Sequence, residues 1–238
     1  ILSLPDSDFS KTVCLEDDGL IHSNEVDLFV FDTTTGRPRD AIDIASRLGQ
    51  VGITYSDTTV SGNSSIAQLG ELVVMMGGTD EAFTLGQPIL DSIGRAAHHI
   101  GEVGSGFRMK LLVNHLLGIH RMAVAEGLVV AELAGMDLSR TLSVFQDSLA
   151  YSKAMDVWGE QMVKGQHMPP AALVRHEHKD TRLILEHANE LNAPVGLASV
   201  VNRTFAAAEE AGMGDMDNGA VMEFLRRKAG LSQDNQVP

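Results

Sequence analysis

Lys110 and Asn114 stand four residues apart in the segment Met109-Lys110-Leu111-Leu112-Val113-Asn114. On a helix that spacing puts an ammonium and a carboxamide on one face, where both can reach the same oxygen atoms of a small ligand. A lysine so placed can take the proton of a hydroxyl or donate one to a carbonyl, the acid/base work required when a secondary alcohol and its carbonyl partner interconvert by hydride transfer. The same pair also occurs on solvated helix surfaces. Here the Gly-rich entry Gly104-Ser105-Gly106 precedes it, and Met109, Leu111, Leu112, Leu116 and Leu117 occupy the other faces, which predicts partial burial. A second polar turn, Ser61-Gly62-Asn63, follows an apolar strand candidate. Backbone N–H groups and a hydroxyl there can cup a carboxylate without a counter-charge, and an ordinary strand-end turn is the competing reading.

The elements that must position these groups divide the chain in two. From residue 1 to about 103, short apolar runs alternate with amphipathic segments, as in an α/β domain. Strands are predicted over Asp27–Phe31, Gly52–Asp57 and Leu72–Gly77, with helices over Arg37–Leu48 and Asp80–Gly94, the second broken at Pro88. That is half of a doubly wound sheet. From 104 to 231 the texture is all-helical and rich in Ala, Leu and Met, and residues 232–238 read as a flexible tail. The fold class is therefore α/β followed by all-α.

Composition narrows the function. With 18 basic against 32 acidic side chains the net charge is −14, which repels phosphate backbones and anionic lipid surfaces, so no nucleic-acid or membrane role is expected. The most apolar stretch, Leu111–Gly135, carries Asn114, His115, His120, Arg121, Glu126 and Glu132, so it reads as a buried helix rather than a lipid-spanning one. A single cysteine, Cys14, rules out an intrachain disulfide and fits a reducing, cytoplasmic setting. His176-Glu177-His178 places two imidazoles about 200° apart on a helix, and no H-E-x-x-H spacing occurs, so no metal site is expected.

Several local patterns, taken in order, carry a resemblance. They are Leu4-Pro5; Asp32-Thr33-Thr34-Thr35 with Pro38 behind; Asp57-Thr58-Thr59-Val60-Ser61-Gly62 running on to Ala67, Gly70-Glu71-Leu72 and Met76-Gly77-Gly78; Gly101, Gly104-Ser105-Gly106, Lys110 and Asn114; then Lys179-Asp180 and Gly212-Met213-Gly214-Asp215-Met216-Asp217. In this order the chain resembles the β-hydroxyacid dehydrogenases, typified by 3-hydroxyisobutyrate dehydrogenase, from about residue 2 to about 225. The resemblance implies a partial Rossmann-like domain followed by a helical substrate and dimerisation domain, with NAD or NADP as cofactor. It implies Lys110 as the acid/base with Asn114 beside it, and Ser61, Gly62 and Asn63 as the substrate loop. It also implies Leu4, Pro5, Thr34 and Lys179 as cofactor-binding residues. Asn63 departs from the family, which usually has a second glycine there; Asn tolerates left-handed backbone better than most residues. Imine reductases resemble the same family but lack a lysine at the position of Lys110.

The family's G-x-G-x-x-G turn and the residue that reads the adenosine ribose are not in this sequence. The chain is accordingly read as N-terminally incomplete, short of the family fold by its first βαβ units, roughly 60 residues or more. The leading expectation is an NAD(P)-dependent oxidoreductase acting on a short 3-hydroxy acid or its aldehyde or keto partner. The alternative is a non-catalytic, truncated remnant that oligomerises through its helices and binds no dinucleotide. Apolar helix faces and an uncovered sheet edge predict a homodimer or larger homo-oligomer.

Overall fold

The computed structural model of the protein describes residues 1–25 and 27–231, with Ser65 described by its backbone alone; the expected tail at 232–238 lies outside the described residues. The chain forms two compact units, residues 1–113 and those from Asn114 onward.

The first unit is built on a four-stranded sheet in the order β1-β2-β3-β4: β1 Phe29–Asp32, β2 Thr54–Ser61, β3 Leu72–Gly77 and β4 Gly94–Gly101. The β1/β2 and β3/β4 pairs are parallel, and β2/β3 is antiparallel, with Ser61 opposite Val73. The sheet is thus mostly parallel and Rossmann-like, with one reversal in its middle. Leu2 extends it beyond β1: its N–H donates to the Phe31 carbonyl, and its own carbonyl accepts from Thr33 N–H. The outer edge of β1 is therefore partly occupied, which reduces the bare edge expected from sequence.

Strand alternation sends neighbours to opposite faces. Val30 and Tyr55 join Cys14, Ile44, Leu48 and Phe107 in a core under α1 (Ser7–Leu15) and α2 (Pro38–Gly49). Phe31, Val74 and Met76 join Ala82 and Leu90 in a second core with α4 (Asp80–Ile93). Helix α1 starts because the Asp6 carboxylate accepts the N–H groups of Asp8 and Phe9, and α2 starts with Pro38 in its first turn. A one-turn helix, α3 (Ser64–Gln68), links β2 to β3.

Helix α5 (Ser105–Leu133) begins in this unit and continues into the second. It is not buried all round. Phe107, Leu111, Val124, Ala125 and Leu128 are enclosed, whereas Leu112, Leu116, Val130 and Leu133 are each more than half exposed.

The second unit is all-helical: α6 (Leu138–Asp147), α7 (Glu160–Lys164), α8 (Val174–Glu190), α9 (Gly196–Ala208) and α10 (Val221–Lys228) pack with the rest of α5. Their core gathers Val124, Leu128, Trp158, Met162, Phe205 and Met222. Inside it lies a charged pair. Arg121 approaches Glu177 at 2.7 Å with both side chains almost wholly enclosed, and its guanidinium carbon sits 4.0 Å from the Trp158 ring centroid. The segment Gly212 to Asp217 is held by the buried Asp217 carboxylate, which accepts from Ala171 N–H and Gly219 N–H, both at 2.9 Å. Among the described residues no helix is long and apolar enough to cross a membrane.

Candidate active site

Strand β2 organises the candidate residues of the first unit. Asp57, Thr59 and Ser61 alternate onto one face of it. Asp57 is fully buried, yet each of its oxygens is used: Oδ1 accepts Gly104 N–H at 2.8 Å and Oδ2 accepts Phe107 N–H at 2.7 Å. Those amides open α5, where backbone donors have no helical acceptor of their own. Burial pushes the Asp57 carboxyl up to about 7 against the pull of these two donors, and the neighbouring Asp32 charge adds to the rise. Thr59 Oγ1 lies 3.1 Å from the Gly106 carbonyl and 3.2 Å from that of Met75. The backbones meet so closely that a Cβ on Gly106 would stand 2.1 Å from the Asp57 carbonyl oxygen, and one on Gly77 would stand 2.5 Å from Asp57 Oδ1. Only glycine permits that approach.

Ser61 ends β2 half-buried, and Gly62 follows with φ +140, a backbone that L side chains rarely adopt. Asn63 differs from the expectation. Its φ is −106, extended rather than left-handed, and its Oδ1 accepts Ile66 N–H at 3.0 Å as the cap of α3. The left-handed position is taken by Gly62, so Asn63 is free to cap. Lys110, half-buried, sits one turn beyond Phe107 on α5.

At the end of β1, Leu4 and Thr34 are brought together: Leu4 N–H donates to Thr34 Oγ1 at 3.1 Å, and Pro5 is exposed beside them. Thr34 itself is buried. Asp32 turns inward, accepting from Tyr55 Oη at 2.7 Å and from Thr34 N–H at 3.0 Å. Burial and this carboxylate hold the Tyr55 phenol protonated, well above its usual range.

In the second unit, Asn114 Nδ2 donates to Asp180 Oδ2 at 2.8 Å, and Lys179 Nζ lies 3.2 Å from Asp180 Oδ1. Asp180 therefore joins Asn114 and Lys179, a role its bare position after Lys179 did not disclose. Glu177 and His178 are committed elsewhere, to Arg121 and Glu209. Sequence reasoning also gave no role to Asp57 or Thr59. The available signal was an acidic residue inside an otherwise uncharged strand, since a buried carboxylate must find donors.

Residues 104–225 match the family described as NAD-binding of NADP-dependent 3-hydroxyisobutyrate dehydrogenase, and residues 1–101 match the NAD binding domain of 6-phosphogluconate dehydrogenase. The chain belongs to the β-hydroxyacid dehydrogenase family. Both matched regions of this β-hydroxyacid dehydrogenase are NAD-binding by description, so its cofactor class is NAD or NADP and its broad activity is that of an oxidoreductase. L-threonate dehydrogenase of Haemophilus influenzae is 30% identical over 91% of this chain and 72% of its own length. 2-(Hydroxymethyl)glutarate dehydrogenase of Eubacterium barkeri is 27% identical over 97% of this chain and 76% of its own. Among solved structures, 3-hydroxyisobutyrate dehydrogenase from Salmonella typhimurium superposes with a TM-score of 0.84 at 28% identity, covering 94% of this chain and 76% of that one.

The donor set at the end of β1 fits part of such a cofactor. Because Asp32 is turned inward, this carboxyl edge is uncharged; the Thr33 hydroxyl donates to the Leu2 carbonyl and the Leu4 N–H to Thr34, and half-exposed Thr35 is the hydroxyl that could face an uncharged part of such a cofactor. Among the described residues there is no G-x-G-x-x-G turn to receive a pyrophosphate.

Proposed function

We propose that this β-hydroxyacid dehydrogenase moves hydride between a nicotinamide and a short 3-hydroxy acid or its aldehyde or keto partner, with Lys110 as acid/base. The observation that carries the reading is the placement of Lys110 in the opening turns of a helix seated on β2, the same strand that ends in Ser61 with Gly62 next in the chain. Ser61 Oγ and the backbone N–H groups at Gly62 and Asn63 hold the substrate carboxylate. Lys110 Nζ, as the neutral amine, takes the hydroxyl proton while the carbon–hydrogen bond breaks and a carbonyl forms; as the ammonium it returns that proton to the oxygen in the reverse direction. The bound nicotinamide supplies or accepts the hydride. Leu4, Pro5 and Thr34 orient its ring end, with Lys179 as a further cofactor-binding residue in this reading. Asn114 has its amide nitrogen turned to Asp180, which leaves Oδ1 as an acceptor for an ammonium or hydroxyl. In this reading residues 1–103 are the cofactor-side domain and 104–231 the helical one, assembled as a homodimer or larger homo-oligomer in the cytoplasm.

The test is turnover of NAD or NADP with a panel of short hydroxy acids, followed by the absorbance of the reduced nicotinamide. Lys110→Ala is expected to lower kcat by about 10²–10⁴-fold at little change in KM. Retained turnover would remove Lys110 from the mechanism. Failure of both dinucleotides to bind at millimolar concentration would overturn the catalytic reading in favour of a non-catalytic, oligomerising chain.

A further inference from the structure

Asp57 and Thr59 touch no candidate ligand group, yet both are spent on the first turn of α5. A carboxylate that accepts two amides three residues apart fixes both the tilt and the height of the helix start, because each bond limits one direction of movement. Thr59 reaches the Gly106 carbonyl, the group which in an α-helix accepts the N–H of Lys110. Gly77 and Gly106 remove the side chains that would hold the helix off the strand. Two residues further along the same face stands Ser61.

We infer that Asp57 and Thr59 are positioning residues that set the distance between Lys110 and the carboxylate loop at Ser61 and Gly62. The strand acts as a ruler, with the anchor for the substrate at its end and the grip on the lysine's helix two and four residues before it. This inference rests on the reading of Lys110 as the acid/base. Its physical content, that the amine's surroundings depend on two side chains that do not contact substrate, can be read without turnover.

In the full chain, Lys110 and the exposed Lys164 are compared by competitive acylation with acetic anhydride and mass spectrometry, in the native protein and in Thr59→Val, Thr59→Ser and Asp57→Asn. Thr59→Val keeps the side-chain shape and removes the hydroxyl, so it carries the test if Asp57→Asn does not fold. The expected result is a several-fold change in Lys110 reactivity in Thr59→Val and Asp57→Asn, with recovery in Thr59→Ser and no change at Lys164. Unchanged Lys110 reactivity in folded Thr59→Val would overturn the proposal. With substrate and cofactor, Thr59→Val should lower kcat by about 10-fold to 10²-fold while KM stays within about twofold, as expected for a misplaced catalytic group. A rise in KM with kcat unchanged would overturn it as well. If Lys110→Ala keeps full turnover, the role of Lys110 fails by itself, and the acylation result still decides whether Asp57 and Thr59 position the lysine.

Discussion

Arg121 and Glu177 bury opposite charges inside the helical unit, their side chains 3% and 7% exposed and 2.7 Å apart. Replacing Arg121 by Met leaves Glu177 enclosed without its cation, which costs about 3–5 kcal/mol by the measure of other buried pairs. The lost stacking of the guanidinium on Trp158 adds up to about 2 kcal/mol. Glu177→Leu leaves the guanidinium uncompensated and should cost a similar amount. The double variant Arg121→Met with Glu177→Leu removes both charges and both desolvation costs, so it should lie within about 2 kcal/mol of the native protein. The cycle therefore predicts a coupling energy of about 3 kcal/mol or more. Urea denaturation supplies the stabilities, and fluorescence of Trp158, the single tryptophan of the chain, reports locally because its ring carries the Arg121 guanidinium. Single variants that simply add in the double variant, with coupling below about 0.5 kcal/mol, would refute the argument that the two charges compensate each other.

Asp57 makes stability depend on pH. Its carboxyl is raised from 3.8 to about 7 in the folded chain, so the fold binds a proton there that the unfolded chain has already released. Stability from this group is full below about pH 4 and is lost as pH rises toward 7, by up to about 4 kcal/mol at roughly 1.4 kcal/mol per unit. Asp57→Asn should flatten that part of the profile in urea titrations between pH 4 and 8; equal slopes in both proteins would contradict the shift. Asp40 acts in the opposite sense: burial pushes its carboxyl up, but the Lys11 and Ser7 hydrogen bonds and the nearby cations outweigh it and hold the carboxyl below its usual value, so its contribution is lost as pH falls. Leu112, Leu116, Val130 and Leu133 expose apolar surface along α5, so light scattering at micromolar concentration should give at least twice the mass of one chain, and a clean monomer would count against assembly.

Much of the fold follows from periodicity. Leu72–Gly77 is a strand with the bounds its apolar run predicts, and Arg37–Leu48 is displaced by one residue. Where tertiary context decides, local pattern fails. Strand β2 runs to Ser61 rather than stopping at Asp57, because the polar stretch from Thr58 to Ser61 pairs with β3 and Thr59 spends its hydroxyl on backbone carbonyls. Strand β4, Gly-Arg-Ala-Ala-His-His-Ile-Gly, has no period-two signal and exists through its parallel pairing with β3. Helix α4 passes through Pro88 without ending. The buried Ala82, Gly86 and Leu90 hold both sides of the proline to the sheet, and Pro88 and Thr84, whose carbonyl loses its helical donor, are both exposed residues, which keeps the cost small.

The candidate site shows the same division between what a motif names and what the chain does with it. Thr34, Asn63 and Asn114 all read as ligand groups in sequence, and each has an internal partner: Leu4 N–H, Ile66 N–H and Asp180. Each retains part of its bonding capacity. Asn63 Oδ1 is committed and its Nδ2 is left; Asn114 Nδ2 is committed and its Oδ1 is left. The internal bond thus decides whether a side chain offers a donor or an acceptor to a ligand. A substitution at Asn63 consequently acts first on the start of α3, through a lost cap of about 1 kcal/mol, and only then on the carboxylate loop. In the proposed role of this loop as the carboxylate anchor, substrate preference depends on loop geometry as much as on the chemistry of the side chain at that position.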